Sequence, residues 1–136
     1  MNITLRSGEK LYINGAVVRV DRKATIELLN DASFLLETHV MQPSDATTPL
    51  RQIYFVLQIM LMDPTAARVT SELAGALIEK ATGTFATAEI RVGLKLVSDL
   101  VGRARCFEAM KTLRAMYAVE RREMFPLGDI ETTQAA

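Results

Sequence analysis

Lys10, Tyr12 and Arg19 have the types and spacing to hold a polyanion, with two cations to neutralise phosphates and a ring on which an unpaired base can stack. They flank Asn14-Gly15, the dipeptide with the strongest preference for a two-residue hairpin turn. Such a turn in "LYINGAVVRV" (11–20) pairs Ile13 with Ala16, Tyr12 with Val17, Leu11 with Val18 and Lys10 with Arg19. Side chains alternate across a strand, so Lys10, Tyr12, Val17 and Arg19 share one face, and Leu11, Ile13, Ala16 and Val18 the other. Like charges directly opposite each other are mildly destabilising, so the arrangement costs the hairpin something. Arg6 extends the predicted outward face, and Arg22-Lys23 caps the next turn. The plain alternative is a solvated face whose Lys and Arg stems cover apolar surface, and pattern alone favours it.

Other chemistry finds little to work with. One histidine and one cysteine cannot build a zinc site, which needs three or four such ligands at set spacings. His39 in "ETHVMQ" has no Ser or Cys nucleophile motif beside it, and a structural hydrogen-bonding role is the better reading. "TGTFATAE" has a single glycine and no Gly-Lys, so no phosphate-cradling loop is present. Glu37, Asp45 and Asp63 show no pairing logic for glycoside or metal chemistry. Neither catalysis nor a cofactor or metal is expected.

The elements that must position the basic face divide the chain in two. Residues 1–38 alternate with a period of two between turn signals at Ser7-Gly8-Glu9, Asn14-Gly15, Asp21-Arg22-Lys23 and Asn30-Asp31. This predicts about five short strands in a small antiparallel sheet, a meander with one face toward a core. From Thr47 onward the period is helical. Thr48-Pro49 opens a helix over about 49–62, and Asp63-Pro64 a second that ends near Ala81 with Gly83 as its cap. A third covers about 85–101. A fourth runs over about 104–123 through Phe107, Met110, Leu113, Met116 and Tyr117. The expected fold is α+β: one domain over 1–126, with the β part at 1–38, four helices within 48–123, and a flexible tail at 127–136.

In "LRQIYFVLQIMLM" (50–62) apolar residues occupy every face, which requires burial on all sides. Either the small sheet and the other helices surround this helix, or part of it lies in a subunit interface. For the second case Tyr54, Phe55, Leu57, Met60 and Leu61 form the seam of a homo-oligomer or the docking surface of a partner.

At 136 residues, 49% hydrophobic and 24% charged, the composition is that of an ordinary globular domain. Cations and carboxylates balance at 16 each, so a polyanion would have to be met by a local patch. A second such patch lies on the last helix, where Arg103, Arg105, Lys111, Arg114, Arg121 and Arg122 are set against Glu108 and Glu120. A lone Cys106 suits a reducing compartment. No signal region opens the chain and no apolar stretch spans a membrane, so the expectation is a soluble cytoplasmic protein.

"LYINGAVVRVDRKATIELLND", then "FLLETHVMQPSDATTPLRQIYFVLQIMLMDP" and "GRARCFEAMKTLRAMYAVE", resemble in order the segments of the FlbT family of flagellar regulators, over about residues 3–120. Ala118 departs from the family pattern where a proline often follows the aromatic. The resemblance implies a post-transcriptional role, in which the protein associates with the 5′ untranslated region of flagellin mRNA and reduces its translation or promotes its decay. FlaF is the implied companion acting on the same flagellin.

With that implication the basic face acquires roles: Arg6, Lys10, Arg19, Arg22 and Lys23 would neutralise phosphates and Tyr12 would stack on a base. Arg51, just past the Thr-Thr-Pro start of the first long helix, would add to the attraction of that helix N-terminus for an anion. Two rivals stand beside this reading. The methionine-rich helical half could instead take an amphipathic helix of flagellin, alone or with FlaF, and affect the messenger indirectly. Or the chain is chiefly an oligomeric scaffold.

Overall fold

The computed structural model describes residues 1–126; the flexible tail expected over 127–136 lies outside the described residues. Asn14 and Gly15 both adopt left-handed backbone, φ 48° and 82°, as the two central residues of a type I′ turn require. That turn joins β2 (Lys10–Ile13) to β3 (Ala16–Arg19) in the predicted register, Lys10 opposite Arg19 and Tyr12 opposite Val17. A side chain at Gly15 would also press on Pro64, whose ring Cδ lies 3.0 Å from where a β-carbon would stand.

The class is α+β as expected, but the strands do not form a meander. β1 (Asn2–Leu5) pairs with β4 (Ala24–Glu27), and β2 is central in a second sheet between β3 and β5 (Phe34–Leu36). All pairings are antiparallel. Central placement pairs both edges of β2, and packing covers both of its faces. Leu11 joins Ile3, Leu5 and Phe34 in a small core between the sheets, with Ile13 and Leu36 at its margin. Tyr12 and the buried Leu35 opposite it turn instead to the helical half.

The helical half is built on α1 (Pro49–Met62). Its apolar surface is covered mainly by α2 (Ala67–Thr84) and α4 (Cys106–Ala115), and Leu50, Ile53 and Leu57 are fully excluded from water. Gln58, the polar residue in its buried face, is satisfied twice by one backbone residue: Met41 N–H donates to its Oε1 at 2.7 Å, and its Nε2 donates to the Met41 carbonyl at 2.9 Å. This clip fastens the 37–47 segment onto α1 and leaves no buried donor unpaired there.

Helix ends depart from expectation in places. Asp63 and Pro64 open a short 3-10 turn, Pro64–Ala66, with the Asp63 carboxylate accepting from Thr65 N–H at 3.1 Å; α2 begins after it and runs through Gly83. α3 (Ala88–Gly102) follows. The helix expected over 104–123 is broken by a turn at Met116 into α4 and α5 (Tyr117–Met124). Phe107 on α4 ties the halves together, packing against both cores with its ring centroid 4.6 Å from that of Phe34.

Candidate nucleic-acid interface

The sheet cations lie on β2 and β3 and in the turns that flank the strands. β3 is an edge strand, and all four of its residues are exposed. Arg19 stands on it directly across from Lys10, and neither has a carboxylate within ion-pair distance among the described residues. An unpaired pair of like charges opposite each other favours any anion that sits between them. Arg22 and Lys23 follow in the exposed turn after β3, where Arg22 reaches Asp21 at 3.6 Å. Arg6, after β1, lies 4.0 Å from Glu9, and that carboxylate also accepts from the Arg6 backbone N–H at 2.9 Å. Both arginines are solvent-exposed, and such contacts hold their cations loosely.

Tyr12 is not on the free outward face that alternation alone suggests. It is half-buried against the helical core because β2 is covered on both sides, so little of its ring is open for stacking. Val17, opposite it on the edge strand, is 62% exposed and is the apolar surface actually offered beside Lys10 and Arg19.

Arg51 belongs to a different place. The N-terminus of α1 is already occupied: Glu120 of α5 accepts from the Leu50 N–H at 2.9 Å and from the Thr48 hydroxyl at 2.7 Å, and Thr48 in turn accepts from the Arg51 N–H at 3.2 Å. The helix end therefore has its carboxylate from within the chain, and a second anion gains little there. The Arg51 guanidinium lies over the Tyr117 ring instead, 4.3 Å from its centroid. Glu120, which the sequence shows as one of three carboxylates on a basic helix, is 1% exposed.

Of the apolar residues proposed as a seam, Tyr54, Leu57 and Leu61 are buried in the chain's own core. Only Phe55 and Met60 reach the surface in part, next to Ile59, which is 37% exposed. Intramolecular packing thus satisfies most of a helix whose composition left its partners open. The His39 imidazole donates no hydrogen bond among the described residues; its backbone carbonyl accepts from the Tyr54 hydroxyl at 2.7 Å. Burial, with the Arg114 charge second, holds its imidazole below the ordinary value of 6.5. Cys106 is buried, its thiol 3.1 Å from the Leu57 carbonyl, and burial pushes it up to about 12, so it is an inert core thiol near neutral pH. No group of three or more His, Cys, Asp or Glu is placed to hold a metal among the described residues. No helix among them is long and apolar enough to cross a membrane.

A family model described as flagellar protein FlbT matches residues 1–124. A curated relative from Chelativorans sp. (strain BNC1) is 49% identical over 118 residues, covering 87% of this chain and 81% of the relative. Another, from Brucella ovis, is 51% identical over 120 residues, covering 88% of this chain and 79% of the relative. Both are named "Probable flagellum biosynthesis repressor protein FlbT". No solved structure matches the chain.

Proposed function

The chain belongs to the FlbT family of flagellar proteins, and we propose that it regulates flagellin synthesis after transcription by binding the 5′ leader of flagellin mRNA. A regulatory role in flagellar synthesis follows from the relatives named as repressors. The leader as target is supported by one observation above the rest, the unpaired Lys10–Arg19 cations across the β2–β3 hairpin at a free sheet edge. With the chain's formal charge at zero, such a local patch is where RNA phosphates would be held. The protein acts by occupancy of the messenger and not by catalysis.

A second reading has its own observation. Val69 and Leu73 on α2, and Val92 and Leu96 on α3, stand one helical turn apart on each helix and are 48–70% exposed. Those apolar pairs suit an amphipathic helix such as a terminus of flagellin, bound alone or together with FlaF. A salt titration of the purified protein against the leader, an unrelated RNA of equal length and flagellin separates the two. Leader-selective binding that falls with salt, its slope reduced by about 0.7 for each of Lys10→Ala and Arg19→Ala, supports RNA readout. Tight flagellin binding with weak, unselective RNA binding overturns it.

A further inference from the structure

A cavity of about 480 Å³ opens between the 37–47 segment, the first turns of α1 and the α4–α5 junction. Two arginines line it, Arg51 and Arg114, together with Tyr54, Tyr117 and His39. Both guanidiniums lack a carboxylate within ion-pair distance among the described residues. The one acidic side chain in the lining is Asp45, in an exposed turn. Glu120, nearby, has its two oxygens engaged by Leu50 and Thr48.

Half-buried cations with no counter-charge are costly unless something supplies one. A second sign points the same way. The Tyr117 hydroxyl is buried and has no hydrogen-bond partner, the one such side-chain atom among the described residues. Its ring lines the cavity and carries the Arg51 guanidinium, so the unanswered donor lies just behind the wall that holds a guanidinium. Tyr54, whose hydroxyl is committed to the His39 carbonyl, packs edge-on to Tyr117 with centroids 6.2 Å apart and stiffens that wall.

We propose that this cavity is a phosphate-binding site, in which Arg51 and Arg114 hold the oxygens of a phosphate group and the Tyr117 hydroxyl, turned out from behind the wall, donates to one of them. Guanidinium pairs match the several oxygens of phosphate better than they match a single point acceptor. The volume exceeds that of inorganic phosphate and leaves room for the rest of a nucleotide beside aromatic walls. None of the sheet cations lines the cavity, so the site does not depend on the leader-binding role of the hairpin.

Isothermal titration with inorganic phosphate, adenosine 5′-monophosphate and acetate tests it, with the full chain and its Arg114→Gln, Tyr117→Phe and Lys10→Ala/Arg19→Ala variants. The expected result is saturable binding of both phosphate compounds and none of acetate. Arg114→Gln should weaken it at least tenfold, Tyr117→Phe a few-fold, and the hairpin double variant not at all. Tyr117→Phe removes only the unpartnered hydroxyl and is expected to fold normally, so a loss there cannot be ascribed to unfolding. If leader RNA binding also falls in Arg114→Gln, the phosphate is that of RNA; if it does not, the source is a free phosphate compound. Equal binding of acetate would mark a generic carboxylate or acidic-peptide contact and overturn the proposal. So would the absence of phosphate binding, or binding that survives both cavity substitutions.

Discussion

Gly93 on α3 and Met116 at the α4–α5 break lie so close that a β-carbon on residue 93 would stand well within van der Waals contact of the Met116 sulfur. The missing side chain is what lets the break in the last helix settle onto α3. Met116 is 5% exposed, so its thioether has little room to retreat.

Gly93→Ala sets two effects against each other. Alanine in a helix interior gains about 0.5–1 kcal/mol over glycine, whereas forcing a buried side chain aside costs about 1–3 kcal/mol. The clash should win, for a net loss of about 1 kcal/mol in urea unfolding. In Gly93→Ala/Met116→Ala the loss should be smaller than the sum of the singles, because the obstruction has gone. Strict additivity would show that the two residues do not compete for space.

Glu120 should prove one of the residues least tolerant of change. Glu120→Ala leaves the buried Leu50 N–H and the Thr48 hydroxyl without their acceptor, at an expected cost of about 2–4 kcal/mol. Glu120→Gln keeps the volume and one accepting oxygen, and its amide can donate to the Thr48 hydroxyl, so about 1–2 kcal/mol is expected. Thermal melts of the two variants check the order; a Gln variant as weak as Ala would mean that the charge itself, not the accepted bonds, holds the helix end.

Acid should lower the stability of the fold in two separate pH windows. His39 is held below 6.5, so its unfolded form takes up a proton more readily, and stability declines as pH drops below 6.5 until the lower folded value is passed. Glu123 behaves as a depressed carboxylate. Its largest cause is the hydrogen bond from the Thr87 hydroxyl, with the Ala86 and Thr87 backbone N–H groups adding to it at the start of α3. The stability it contributes is present above 4.5 and is lost as pH falls through its folded value. Denaturant midpoints across pH should therefore flatten below 4.5 in Glu123→Gln, with the His39 window unchanged. An unchanged profile below 4.5 would show that this cap does not hold in solution.

Much of the local structure was legible because it rests on local rules. Asn14-Gly15 dictated the turn, the turn dictated the register, and Lys10 faces Arg19 as that register demands. Pairing between distant strands was not legible. Alternation tells which residues of β1 and β4 share a face but not that they are partners, and it sends Tyr12 to the face away from Leu11 without showing that the helical core packs on that face too. The fully apolar α1 announced its burial, yet its composition could not say whether other chains or its own covered it. Gln58 and Glu120 were harder still. A polar residue among apolar ones and a carboxylate among arginines look like surface until the backbone groups they serve, 17 and 70 residues away, are brought to them. Arg114 and Tyr117 were read as a patch cation and a core aromatic, and only folding places them in one cavity with Arg51.

The bond from Glu120 back to Leu50 also sets a schedule for synthesis. Chains fold from the N-terminus as they emerge from the ribosome, but here the first long helix waits for an acceptor made 70 positions later. Until then the nascent chain carries its most apolar segment with an open end and without α4 to cover it.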